Sequence, residues 1–180
     1  WHRPDRRFLN VYGPTEATVT CTWGEVSPDR PVTLGRPLPT YSIVLLDTDG
    51  SMRAVAPGEF GEIAVAGIGL ARGYLNREEK TAESFVPDFL GLPANPSGQI
   101  YRTGDLGRVN DDGEIEYRGR IDLQVKVRGY RIELSEIESV LLGAPGVTQA
   151  VVDTFSPQPD VTELVGYYSG REDGLDLSLI

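Results

Sequence analysis

Tyr12-Gly13-Pro14-Thr15-Glu16 places an aromatic face, a tight turn, a hydroxyl and a carboxylate within five residues. That set has the makings of a nucleotide clamp, and it equally suits a β-turn whose Thr and Glu cap a neighbouring element. Some ninety positions on, Tyr101-Arg102-Thr103-Gly104-Asp105-Leu106 offers a carboxylate that can accept from two adjacent hydroxyls while Gly104 lets the backbone turn sharply. A ribose diol meets this requirement, and so does a plain Asx-turn. Arg120 carries a planar fork of donors that matches ribose or phosphate oxygens, or simply a solvated cation.

The elements that must position these groups are mostly short strands. Residues 8 to 26 read as a loop leading into a strand, with the β-prone run Thr18 to Trp23 behind Gly13-Pro14. From about 42 to 120 the spacing predicts strands over 42–46, 62–66 and 114–118, punctuated by Asp49-Gly50, Gly67 and Asp112-Gly113. Residues 78–85 (EEKTAESF) predict the one helix of this region, closed by Pro87. The glycine-rich segment 61–76 lacks the helix-opening pattern of a dinucleotide fingerprint, so it reads as structural turns.

After Gly119 the pattern changes. A strand is expected over 123–127, a helix opened by a capping box at Ser135-Glu136-Ile137-Glu138 and running through Leu142, and strands over 147–155 and 164–168. The fold class is therefore mixed α+β: a barrel-like β-rich subdomain over 1–121 at the end of a larger lobe, then an incomplete small α+β lobe over 122–180.

With 27 acidic against 17 basic residues and a net charge of −10, a broad surface for a nucleic-acid backbone is not expected. One Cys and one His exclude a disulfide framework and a Cys/His zinc cluster, and suit a reducing, cytoplasmic compartment. No apolar run reaches the roughly 18 to 20 residues needed to cross a bilayer, so no membrane contact is expected from this region. Cys21 reads as a small buried residue and not as a nucleophile, since the only His, His2, is remote in sequence.

Four segments in this order, NVYGPTE (10–16), GEIAVAGIGLARGYLN (61–76), YRTGDL (101–106) and GRIDLQVKVRGYRIELSEIE (119–138), resemble the adenylate-forming superfamily. Their wording is closest to the amino-acid adenylation domains of nonribosomal peptide synthetases, from about residue 8 to the end. The resemblance implies ATP-dependent adenylation of an amino-acid carboxylate, giving an aminoacyl adenylate and pyrophosphate, followed by transfer to a phosphopantetheinyl carrier protein. It places Tyr12 against adenine in the turn made by Gly13, Thr15 on the α-phosphate, Glu16 on Mg²⁺, and Asp105 with Arg120 at the ribose. Asp122 matches the family's hinge, while Lys126 and Gly129 match positions near the pantetheine arm. Gly129 alone reads equally as a strand bulge, and Lys126 as a solvated strand lysine. Val11, Val19 and Thr20 align with positions lining the amino-acid pocket, without naming a side chain. The implied cofactors are ATP and Mg²⁺; the implied partners are the amino acid, a peptidyl carrier protein and an MbtH-like helper.

An acyl- or aryl-CoA ligase of the same superfamily would share Tyr12, Thr15, Glu16, Asp105 and Arg120, and a non-catalytic module that binds a carrier or helper is the competing reading from another class. Both ends look cut, and the family's phosphate loop and adenylate-directed lysine are expected outside these residues. The isolated 180-residue chain should accordingly show no amino-acid-dependent pyrophosphate exchange; robust exchange by it would overturn this reading.

Overall fold

A computed structural model describes residues 5–93, 95–121, 124–127, 130–158 and 161–170. The chain divides into two compact units, Trp1–Ile121 and Asp122–Ile180. The architecture is mixed α+β, with a curled β-sheet in the first unit.

Three short strands open that unit: β1 (Leu9–Tyr12), β2 (Thr22–Glu25) and β3 (Arg36–Pro37), paired antiparallel in the order β1-β2-β3. The region expected as a loop before a strand is thus two paired strands, with Tyr12 opposite Thr22. A five-stranded antiparallel sheet follows, built from β4 (Tyr41–Leu46), β5 (Gly61–Gly67), β6 (Phe85–Pro87), β7 (Gln99–Val109) and β8 (Ile115–Arg120). Its order is β4-β5-β7-β6, with β8 also pairing β7.

β5 is buried at all seven positions because both faces of the sheet are covered. Successive side chains of a strand point to opposite faces. Ala64 and Ala66 therefore join Leu46, Val86 and Ile100 on one side, while Ile63 joins Leu45 and Ile115, and Val65 joins Ala17 and Cys21, on the other. The first part of the glycine-rich segment is thus an interior strand of the sheet, between β4 and β7, and turns begin only after it. β7, eleven residues long, was not expected as a strand because Thr103-Gly104-Asp105 reads as a turn. The Asn110 carboxamide, accepting from Asp112 N (3.1 Å) and Glu114 N (2.9 Å), turns the chain from β7 into β8.

Helix α1 spans Glu78–Ser84. It stops before Pro87, because Phe85 leaves helical geometry to bury its ring between Tyr101, 4.9 Å away, and Tyr74, 5.7 Å away.

In the second unit, β9 (Gln124–Val127) pairs antiparallel with β10 (Tyr130–Glu133), helix α2 spans Leu134–Gly143, and β11 (Val147–Gln158) pairs with β12 (Val161–Gly170). The expected capping box does not form. Glu133 occupies the cap position without a side-chain cap bond, and Glu138 instead accepts from Val152 N at 2.9 Å, fastening α2 to β11. Glu138→Ala should therefore cost about 1–3 kcal/mol by leaving that amide without its partner. Ser135→Ala should stay within about 0.5 kcal/mol of wild type. Urea midpoints of the two variants measure the contrast.

Candidate functional site

Strand register brings the sequence motifs together. Asp105 lies directly opposite Arg120 in the β7–β8 ladder, and Arg120 Nη1 donates to Asp105 Oδ1 at 2.9 Å. The Tyr12 hydroxyl, at the end of β1, donates to Asp105 Oδ2 at 2.5 Å across 93 sequence positions. The Asp105 and Arg120 side chains are 6% and 10% exposed. Removing either would leave a buried charge without its partner, a change worth about 3–5 kcal/mol. Burial first, and then the Asp105 charge, push the Tyr12 phenol well above its usual range, so it remains a donor.

Asp105 is carried on a bulge. Glu62 pairs with Leu106 and Ala64 with Arg102, so Ile63 alone faces Thr103, Gly104 and Asp105. Gly104 takes φ +73°, in the left-handed region open to glycine. Side chains satisfy the groups that the bulge removes from the ladder. Thr103 Oγ1 donates to Ile63 O (2.6 Å) and accepts from Asp105 N (3.0 Å). Glu62 Oε1 accepts from Gly104 N (3.0 Å), and Glu62 Oε2 receives Arg102 Nε and Nη2 at 2.9 and 2.6 Å. Glu62 and Arg102 were not singled out in the sequence; their only signal was a carboxylate within an otherwise apolar strand and an Arg two positions before a Gly.

After β1 the backbone closes a 3-10 turn, Thr15–Ala17, followed by left-handed Thr18 (φ 54°) and Val19 (φ 70°). Gly13 is required by proximity: a Cβ there would lie 2.7 Å from Val19 O and 2.8 Å from Cys21 N. Thr15 is exposed at the start of this turn. Glu16 Oε1 accepts from the Tyr74 hydroxyl at 2.5 Å, and Glu16 O accepts from Ala71 N at 2.8 Å. Tyr74 was also missed, being one aromatic in a stretch taken as structural. Val11 and Val19 are exposed and Thr20 is half-buried, on the two limbs of the same loop.

Asp122 and Gly129 lie outside the described residues, as does the side chain of Lys126, whose backbone pairs with Arg131 between β9 and β10. Among the described residues, no three His, Cys, Asp or Glu side chains group as a metal cage, and no helix is long and apolar enough to cross a membrane.

Residues 2–75 match the family described as AMP-binding enzyme. The chain is 46% identical over 166 residues to novobiocin biosynthesis protein H of Streptomyces niveus, covering 91% of this chain and 27% of that protein. It is 45% identical over 164 residues to tyrocidine synthase 2 of Brevibacillus parabrevis, covering 89% of this chain and 4% of that protein. The solved structure of PA1221, an NRPS protein containing adenylation and PCP domains, superposes with a TM-score of 0.80 at 31% identity, covering 98% of this chain and 35% of that one. The chain therefore spans about a quarter or less of the length of these two curated relatives.

Cys21 is fully buried, and burial pushes its thiol up to about 12. The folded state thus holds this proton more tightly than the unfolded chain, whose thiol titrates near 9. The resulting stability is complete below about 9 and is lost as pH rises from about 9 to about 12. Iodoacetamide at pH 8 should leave Cys21 unmodified in the native protein and alkylate it in urea, as read by intact mass.

Proposed function

The chain belongs to the AMP-binding enzymes, in the amino-acid adenylation branch of nonribosomal peptide synthetases, and on that premise we propose that it supplies the nucleotide-facing part of a ligase activating an amino-acid carboxylate with ATP. The observation that carries the reading is the hydrogen bond from Tyr12 to Asp105, which draws an aromatic face and a diol-accepting carboxylate to one place.

A carboxylate has about four acceptor sites. Tyr12 and Arg120 engage one on each oxygen of Asp105, leaving capacity for two hydroxyls, and the low exposure of the side chain restricts access to small polar groups. The ribose 2′ and 3′ hydroxyls fit that description. Tyr12 offers its ring to adenine, Thr15 its hydroxyl to the α-phosphate, and Glu16 its carboxylate to Mg²⁺. A lone carboxylate would suit this cation, which takes only one or two from protein and would offset charge at the phosphates.

In the first step a substrate carboxylate oxygen bonds to the α-phosphorus and the bond to pyrophosphate breaks, leaving an aminoacyl adenylate. The carboxylate is already ionised at neutral pH, so no general base is required. The catalytic contribution is orientation by Tyr12 and Asp105 and charge stabilisation near Thr15 and Glu16. In the second step the thiol of a carrier-bound phosphopantetheine attacks the acyl carbon and AMP leaves, with Asp122 as hinge and Lys126 and Gly129 near the incoming arm. PA1221 pairs adenylation with a PCP domain, which supports a carrier protein as partner. Val11, Val19 and Thr20 would border the amino acid, an MbtH-like helper would be a further partner, and the cytoplasm would be the setting.

In the full-length protein, Asp105→Asn should lower kcat/KM for ATP in amino-acid-dependent pyrophosphate exchange by about 10- to 100-fold, the size of one charge-assisted hydrogen bond. Wild type should discriminate strongly against 2′,3′-dideoxy-ATP. Equal use of ATP and the dideoxy analogue by wild type would overturn the assignment of Asp105 to the ribose, whatever the variant does.

A further inference from the structure

Tyr74 lies 58 positions from Glu16, yet its hydroxyl donates to one oxygen of that carboxylate at 2.5 Å. The ring that carries this hydroxyl is held from several directions. Its backbone is bracketed by Thr81, whose Oγ1 accepts from Tyr74 N at 2.9 Å and donates to Tyr74 O at 3.4 Å. Its ring packs edge-to-face with Phe85 at 71° with the centroids 5.7 Å apart, Lys80 Nζ stands 5.7 Å from its centroid, and its oxygen is 3.5 Å from the Tyr101 hydroxyl. The same segment also grips the Glu16 backbone through Ala71 N. A glutamate has three side-chain torsions, and an exposed one would spread over several rotamers. Here the phenol of a packed ring holds one oxygen of the carboxylate.

We propose that Tyr74 is a positioning residue that orients the Glu16 carboxylate toward a divalent cation carried by the nucleotide phosphates. The inference rests on reading Glu16 as the Mg²⁺ ligand. A donor to one carboxylate oxygen selects the rotamer without exhausting the acceptor sites, as partners behind metal-binding carboxylates do elsewhere.

A purely structural role for Tyr74 would be to pin residues 68–77 onto the 3-10 turn. That pinning has other members, among them Thr18 Oγ1 to Gly69 O at 2.7 Å and Ala71 N to Glu16 O at 2.8 Å, and Tyr74→Phe leaves all of them in place. The substitution removes one oxygen and keeps the ring that packs on Phe85. It therefore isolates the hydroxyl.

The test is calorimetric titration of the full-length protein with ATP, with and without MgCl₂, for wild type, Tyr74→Phe, Glu16→Gln and the double variant. Tyr74→Phe should reduce the affinity gained from Mg²⁺ by about tenfold, hold metal-free ATP binding to within about twofold, and add nothing on the Glu16→Gln background. Equal weakening with and without Mg²⁺ would assign Tyr74 to loop packing and overturn the proposal. So would a Glu16→Gln loss that Tyr74→Phe fails to share. If Glu16→Gln itself leaves the Mg²⁺ increment intact, the reading of Glu16 falls, and the proposal with it.

Discussion

The buried carboxylate of Asp105 is the interaction on which the arrangement of the larger unit's candidate site depends. Removing an ion from water costs on the order of several kcal/mol unless opposite charge and donors replace the lost solvent. Asp105 recovers that cost from Arg120 across one ladder and from Tyr12 on another sheet, so three distant segments meet at two oxygens. The constraint works in both directions. Tyr12 and Arg120 are fixed because Asp105 needs them, and the carboxylate has one orientation because they hold it.

That arrangement requires the irregularity of β7. In a regular strand the residue at 105 would take its place in an unbroken alternation, and its backbone amide would serve the ladder. The bulge at Thr103-Gly104-Asp105 interrupts that alternation, at the expense of backbone groups that must find other partners in a dry interior. Glu62 and Thr103 are those partners, and Arg102 balances the charge that Glu62 brings. A charged residue at a buried position of β5 follows from the same geometry: its carboxylate reaches the amide that the neighbouring strand has turned away.

Much of this was legible in the residues and some was not, for physical reasons. Strands bounded by Gly and Asp-Gly turns announced themselves, because turn chemistry is local; β4, β8 and the helix α1 lie within a few residues of where the pattern placed them. β7 did not, since a Thr-Gly-Asp tripeptide has the same local signature in a turn and in a bulge, and only the cross-strand partner decides. α1 ends one residue before the expected Phe85, because that ring is buried between two tyrosines distant in sequence. Ser135 and Glu138 have the spacing of a capping box, but a β-strand amide outcompetes the helix's own first turn for the carboxylate. Asp105, Tyr12, Glu16 and Arg120 could be named from residue types; Glu62, Arg102 and Tyr74, which hold them, make sense only once the register is known.

Two of the named carboxylates are held by different means, and the difference bears on what each can do. Asp105 is anchored by sheet register and a buried ion pair, so moving it would mean breaking β7. Glu16 sits in a single 3-10 turn on the surface side, closed by bonds from the Tyr41 and Tyr74 hydroxyls and the Ala71 amide and by the Thr18 hydroxyl donating to Gly69 O. That turn also keeps Thr18 and Val19 in the left-handed region, which costs β-branched residues on the order of 1–3 kcal/mol each. A loop under such load stays in place only while its tethers hold, whereas the sheet behind Asp105 needs no such restraint. Under the proposed function, the rigid carboxylate would meet the ribose diol of ATP, whose two hydroxyls are held on one ring. The tethered carboxylate would, on the same proposal, meet a cation that arrives with the nucleotide, and its place would be set by the tethers of the turn rather than by sheet register.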